Sequence, residues 1–357
     1  MSLPYLQPYL GLSNGLNTLH AAGGGAGGIG GWVELGRTTL GSNGDNIDVS
    51  SLPDKRYYMV LANTTSSGLN RHGLRYNSDT GSNYAWRYSA NGAADGTVTS
   101  NGRIIIQADN TATDEFSVTY IANKSDKEKL SYSQDVKQIA TGATTAPSRM
   151  ETVGKHAQTS NPISTITLFN SESGDYASGS ECVVLGWDPA DTHTNNFWEE
   201  LGTTSWSSGD DIDVTFTGSE KKYLWFQGYA TLSGAGRTNI RVGDGSVATS
   251  NYAYRRWHGS TGSEETFTSA DRMGATSLNI DTIDFWNGFI INNSGNEKLM
   301  IAHCVRGGTA GAANAPERTE IAGKYAYTSG QLDRIRLYND TGAVDLDGGQ
   351  LTVWGAD

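Results

Sequence analysis

The sequence predicts an all-β protein: two tandem, homologous antiparallel β-sandwich domains, jelly-roll-like, behind a flexible N-terminal arm. Three observations predict it. The chain has 45 glycines and 7 prolines among abundant Ser, Thr and Asn, the composition of short strands joined by tight turns. Its apolar residues come in runs of four to nine, bounded by Gly, Asn, Asp and Ser, with almost no i, i+3, i+4 pattern. The third observation is an internal repeat.

The repeat sets the domain boundaries. Trp32-Val-Glu-Leu-Gly36 recurs as Trp198-Glu-Glu-Leu-Gly202, and Gly44-Asp-Asn-Ile-Asp-Val49 as Gly209-Asp-Asp-Ile-Asp-Val214. Ser82-Asn-Tyr-Ala85 returns as Ser250-Asn-Tyr-Ala253, and Glu128-Lys-Leu130 as Glu297-Lys-Leu299. The longest match pairs Ala146-Pro-Ser-Arg-Met-Glu-Thr-Val-Gly-Lys155 with Ala315-Pro-Glu-Arg-Thr-Glu-Ile-Ala-Gly-Lys324. The offset grows only from about 165 to 169, so insertions are confined to loops. Repeat 1 therefore covers 32–188, a polar linker 189–197, and repeat 2 covers 198–357.

Residues 1–31 match neither repeat. Leu3, Tyr5, Leu6, Tyr9, Leu10 and Leu12 form an apolar tip, and seven of the nine residues from Gly23 to Gly31 are glycine. An apolar tip on a glycine tether reads as a docking arm for a partner, the alternative being a tip folded back on repeat 1.

Within repeat 1, Tyr57, Tyr58, Met59, Val60 and Leu61 are apolar at both parities, as expected of a central strand covered on both faces. Phe116, Val118 and Tyr120 alternate with polar neighbours, which predicts one wet face. Counting such runs gives eight to ten strands per repeat.

A formal charge of −12 repels phosphate backbones and anionic membranes, so no nucleic-acid or membrane partner is expected. No run approaches the roughly 20 apolar residues that span a bilayer, and Met1-Ser2-Leu3-Pro4-Tyr5 lacks the form of a secretory signal. Cys182 and Cys304 fall at non-equivalent repeat positions and read as buried free thiols.

Duplication also tests for chemistry, because a set of residues needed by each domain should occur twice. The histidines fail that test: His72, His156, His258 and His303 align with Thr238, Tyr325, about Ala90 and Gln134. No His-x-x-x-His, Cys-x-x-Cys or Gly-x-Ser-x-Gly pattern occurs, so neither a transition-metal site nor a catalytic residue is assigned. Asp345 and Asp347 offer oxygens to a Ca²⁺ in repeat 2 alone, where repeat 1 has Tyr176-Ala-Ser-Gly179. Arg149, Glu151 and Lys155, with Arg318, Glu320 and Lys324, share one strand parity and read as a charge ladder on a wet face. The alternative for Glu151 and Glu320 is a glycosidase-like acid pair. Trp225 and Trp354 replace Met59 and Leu185 and read as core. Trp206 and Trp257, in Ser/Gly-rich surroundings, are the candidate contacts for a glycan or another subunit.

The segments Glu34-Leu-Gly-Arg-Thr-Thr-Leu-Gly41, Ile47-Asp-Val-Ser-Ser-Leu-Pro-Asp-Lys-Arg-Tyr57 and Ala146–Lys155 resemble repeat-bearing structural proteins of tailed phages, especially marine ones. The resemblance spans 32–357 and implies a non-enzymatic virion protein, made in the host cytoplasm and carried on the virion surface. A capsid decoration protein docked by its arm leads; a tail-fibre or spike component and a carbohydrate-binding adhesin are the alternatives. The implied partners are capsid or tail proteins, further copies of the chain (a trimer, by analogy) and a host-surface glycan.

Overall fold

The computed structural model describes residues 31–192, 196–206, 208–234, 236–259, 262–274, 283–307, 311–313, 315–341 and 345–357. The apolar tip, Leu3 to Leu12, lies outside them. The described residues contain strands and no helix, so no helix is long and apolar enough to cross a membrane.

The strands of repeat 1 are β1 (Val33–Thr39), β2 (Asn46–Ser50), β3 (Tyr57–Thr64), β4 (His72–Tyr76), β5 (Tyr84–Ala90) and β6 (Gly96–Asn101). They continue with β7 (Ile104–Ile105), β8 (Glu115–Ala122), β9 (Lys129–Lys137), β10 (Ser148–His156), β11 (Thr165–Asn170) and β12 (Glu181–Trp187). Repeat 2 begins with β13 (Glu199–Trp206), β14 (Asp211–Thr215), β15 (Tyr223–Leu232), β16 (Thr238–Asp244), β17 (Ser246–Val247) and β18 (Tyr252–His258). It ends with β19 (Ser263–Ala270), β20 (Met273–Gly274), β21 (Ile283–Ile291), β22 (Lys298–Arg306), β23 (Glu317–Tyr325), β24 (Arg334–Asn339) and β25 (Leu346–Ala356).

Each repeat is a sandwich of a large and a small antiparallel sheet. The large sheet of repeat 1 has the order β1-β12-β3-β8-β9-β10-β5-β6 and the small one β2-β11-β4-β7. Without the β5–β6 hairpin and the β9–β10 pair, the orders β1-β12-β3-β8 and β2-β11-β4-β7 are those of an eight-stranded jelly roll. Repeat 2 repeats the plan as β13-β25-β15-β21-β22-β23-β18-β19 over β14-β24-β16-β17, with β20 also on β16. The two repeats thus carry 12 and 13 strands rather than eight to ten. Those missed are edge strands such as β6 (GTVTSN) and two-residue strands such as β7, which carry no apolar run.

The quoted repeat motifs prove to be structural. Gly36 and Gly202 sit at the same register bulge in β1 and β13. A Cβ there would lie 2.8 Å from Val49 in one repeat and 2.9 Å from Val214 in the other, so both bulges require glycine. The lysines of the two Glu-Lys-Leu motifs are caged. Lys129 Nζ donates to the carbonyls of Lys124, Lys127 and Gln158, and Lys298 Nζ to those of Asn293, Asn296 and Tyr327. Three charge-assisted bonds satisfy the whole ammonium group, which lets it be buried.

Each sandwich has its own core: Tyr58, Val60, Leu74, Ile166 and Cys182 in repeat 1, and Leu224, Phe226, Ile240, Cys304 and Leu337 in repeat 2. Both cysteines are buried free thiols in different cores. A third core lies between the repeats, where the outer faces of the two large sheets pack on each other. It contains Met59, Leu61, Phe116, Val118 and Leu185 from repeat 1, and Trp198, Tyr223, Trp225, Phe289 and Trp354 from repeat 2.

This packing overturns the wet face expected for β8. Phe116 and Val118 point into the inter-repeat core, while the polar Glu115, Ser117 and Thr119 are buried within the sandwich. There Thr119 bonds Ser133, and Glu115 bonds His72 and Lys137. Alternation reveals the strand period, but two covered faces with unlike partners look the same as one covered and one wet.

Candidate functional site

Of the duplicated charges of β10 and β23, Arg149, Glu151, Glu320 and Lys324 meet in the inter-repeat interface, whereas Lys155 and Arg318 stay on a wet face as expected. Gln134 and His303 occupy equivalent positions and hydrogen-bond each other at 3.0 Å, marking the centre of the contact. Beside them Glu151 and Glu320, again equivalent, come within hydrogen-bonding reach of one another. Arg149, only 4% exposed, donates to Glu320 at 2.9 Å and to Glu264 of β19 at 3.2 Å. Arg318 pairs with Glu320 at 3.1 Å, and Tyr132 donates to Glu151.

These surroundings drive the two carboxyl groups apart. Burial, then the hydrogen bond and charge of Glu151, push Glu320 up to about 8. Burial alone would raise Glu151 as well, but hydrogen bonds from His303, Glu320 and Tyr132 outweigh it and hold that group at about 2. At neutral pH the pair therefore shares one proton, carried on Glu320.

Among the described residues Glu151, His303 and Glu320 form the one group of three potential metal ligands within 4.8 Å. Two guanidinium groups already flank Glu320, so a cation would enter against two fixed positive charges. The void between the two carboxyl groups is about 10 Å³, and a polar hollow of about 280 Å³, lined by Glu151, Tyr132, Asp95 and Arg318, opens beside it on the Glu151 side alone. A glycosidase needs its carboxyl groups about 5 Å apart or more, flanking the scissile bond. Carboxyl groups that share a proton leave no such gap.

Trp206 and Trp257 are not loop residues. Trp206 ends β13 and is 40% exposed, whereas Trp257 lies inside β18, its register partners being Glu320 and Glu264. Six strand spacings of about 4.8 Å separate β13 from β18 in the sheet, so the two indoles build no common site. Trp225 and Trp354 are core residues, as their replacement of Met59 and Leu185 predicted. Asp347 is exposed, and Asp345 exchanges backbone and hydroxyl hydrogen bonds with Ser233. Neither joins a group of potential metal ligands among the described residues.

The sequence did not single out the surface beside this interface. The large sheets overlap at one end, where Gln138 donates to Glu297 at 2.8 Å and Asn296 to Asp114 at 2.7 Å. Past the Gln134–His303 centre both faces lie open. Tyr229, Ile283, Phe285 and Val305 are exposed on repeat 2. On repeat 1, Trp32, Tyr57, Tyr120, Leu130 and Trp187 line a basin of about 480 Å³, with Tyr57 stacked on Trp187 at 5.4 Å. Its signal was present in the repeat: Tyr57 and Leu130 align with Tyr223 and Leu299, which are buried in the interface.

No family model and no curated protein matches the chain. Among solved structures, Neisserial surface protein A is similar at 6% identity over 80% of this chain and 99% of its own, with a TM-score of 0.13. The mavirus major capsid protein is similar at 10% identity over 97% of this chain and 93% of its own, with a TM-score of 0.15. Scores this low carry no inference about fold or function.

Proposed function

We propose that this chain is a non-enzymatic structural protein of a virion exterior, acting as a capsid decoration protein that displays two fused jelly rolls. The observation that carries the non-enzymatic half is the Glu151–Glu320 pair. The acid pair kept in both repeats is used as the ionic centre of the inter-repeat contact, its carboxyl groups within hydrogen-bonding reach and so closer together than a glycosidase pair. The virion half rests on the sequence resemblance over 32–357 and on the architecture. Two sandwiches joined by a third core form a rigid block, and the fold builds its stability without a disulfide among its cysteines. Many copies on one particle would make weak individual contacts effective.

The test is cosedimentation of the full-length chain with capsids that lack it, run beside incubation with a panel of polysaccharides. Saturable cosedimentation with no polysaccharide turnover is expected. Turnover that disappears in Glu320→Gln would establish a glycan-cleaving enzyme instead. Absence of capsid binding would move the chain to a tail fibre or an adhesin.

A further inference from the structure

The basin on repeat 1 is one half of an interface whose other half is missing. Position by position it repeats the surface that repeat 2 buries against repeat 1. Tyr57 is 38% exposed and its counterpart Tyr223 is 0%; Leu130 is 56% exposed and Leu299 is 1%. Trp32 and Tyr120, partly buried at the edge of the inter-repeat core, correspond to Trp198 and Phe289, which are buried inside it. The ion pair at its rim follows the same rule. Glu297 and Lys324 bind the loop of repeat 1 through Gln138, Gly142 and Ala140, while Glu128 and Lys155 pair only with each other, at 3.1 Å, in solvent. This fold therefore covers that surface with polypeptide where it can, and an apolar patch of this kind marks a docking site.

We infer that the basin receives the N-terminal segment of its own chain, Leu3 to Leu12. The chain that carries the segment enters the described structure at the basin, since Gly31 leads directly into Trp32, a residue of the basin wall. Its chemistry matches: no Asp, Glu, Lys or Arg occurs before Glu34, in a chain that carries 64 of them (26 basic and 38 acidic). The tip is apolar, as are Met59, Leu61, Phe116, Val118 and Leu185, which cover the equivalent surface of repeat 2. Its reach is sufficient, because a random-coil chain of 18 residues, the number between Leu12 and Gly31, would have a root-mean-square span of about 23 Å. A tether of that length holds the tip at a local concentration in the millimolar range, which favours its own basin over that of another molecule. The inference does not depend on the virion reading.

The test is disulfide trapping in the full-length chain. Both native cysteines are buried, and Leu130 stands on the surface, so Leu6→Cys/Leu130→Cys leaves the fold intact. The control is Leu6→Cys/Leu69→Cys, because Leu69 is exposed to a similar degree (48%) in the turn after β3, away from the basin. Tyr57→Cys serves as a second basin position. An intramolecular link forming at least tenfold faster at Leu130 and Tyr57 than at Leu69, at a rate independent of protein concentration, is the expected result. Equal rates at the three positions would overturn the inference. Links formed only between chains, faster at higher concentration, would overturn it too and assign the basin to a second copy.

Discussion

The two repeats bury different halves of the same face. In repeat 1 the strand ends around Phe116, Val118 and Gln138 are covered, while in repeat 2 the opposite ends around Tyr223, Leu299 and Glu297 are covered. Residues alike in sequence thus have unlike exposure, and the difference comes from placement alone. Tyr57 and Tyr223 share a side chain, a strand position and a sandwich, yet one faces solvent and the other a neighbouring sheet. Duplication makes this a controlled comparison, because intrinsic propensity and local pattern are held nearly constant.

The comparison breaks most severely at the buried charges of the two sandwiches. Repeat 2 holds Asp284 against Arg306 at 2.7 and 2.9 Å, with Thr238 donating to Asp284 and Trp286 donating to Thr238. Repeat 1 places Glu115, Lys137 and His72 at the matching positions. Asp284→Asn leaves a guanidinium that cannot shed its proton, at a cost of about 3–5 kcal/mol in chemical denaturation. Glu115→Gln should cost less, because burial already lowers the pKa of His72 towards its neutral form. Equal losses would show that the two networks are energetically alike despite their different residues.

Leucine truncation sharpens the comparison next. Leu299→Ala opens a hole in the inter-repeat core and should cost about 2–5 kcal/mol. Leu130→Ala should cost less than that but well above the loss at a bare surface, because the N-terminal segment inferred above covers Leu130 in the full chain. No measurable loss at Leu130, read by urea denaturation of the full chain, would show that the basin is uncovered.

The central carboxyl pair predicts a pH dependence. Glu320 keeps its proton up to about pH 8 in the native state, whereas an unfolded glutamate ionises near pH 4.3. Between those values the native state binds the extra proton, so the contribution of Glu320 falls as pH rises, by at most about 1.4 kcal/mol per unit. Glu151 acts oppositely: its contribution is present above the unfolded value and is lost as pH falls towards 2. Thermal unfolding of the full chain should therefore show a decline from pH 5 to 8 that is shallower in Glu320→Gln. An unchanged slope would mean that the carboxyl groups do not share a proton.

The smallest effect concerns the rim pair. Glu128→Gln should change stability by no more than about 0.5 kcal/mol, as for exposed ion pairs generally. Glu297→Gln, which also loses its bonds to Gln138 and Gly142, should cost about 1–3 kcal/mol. A double-mutant cycle with Lys155 and Lys324 measures both pairs.

Much of the fold was legible because local physics enforces it. The Trp-x-Glu-Leu-Gly motif marks a bulge that only glycine fits, and the Glu-Lys-Leu motif marks a lysine cage; both repeat because both sandwiches need them. Cys182 and Cys304, at non-equivalent repeat positions, also read correctly as buried free thiols. What lies between repeats was not legible. Glu151 and Glu320 resemble surface charges until a second sheet is laid over them, and Trp257 resembles a loop residue until β18 is paired with β19 and β23. Alternation identifies a strand and its two faces, but not what lies beyond each face.

The jelly-roll order also bears on when the protein folds. β1 closes against β12, so that Arg37 meets Glu181 across 144 positions of sequence. A nascent chain emerging from the ribosome cannot complete the large sheet of repeat 1 until nearly all of that repeat has been synthesised. Sheets closed by such distant pairings fold on the millisecond-to-second scale. During synthesis, then, the first sandwich finishes late and stands alone for as long as the second takes to be made. Throughout that interval Phe116, Val118 and Leu185 face solvent, which makes a stalled or truncated chain prone to aggregation even when its first domain is correctly folded.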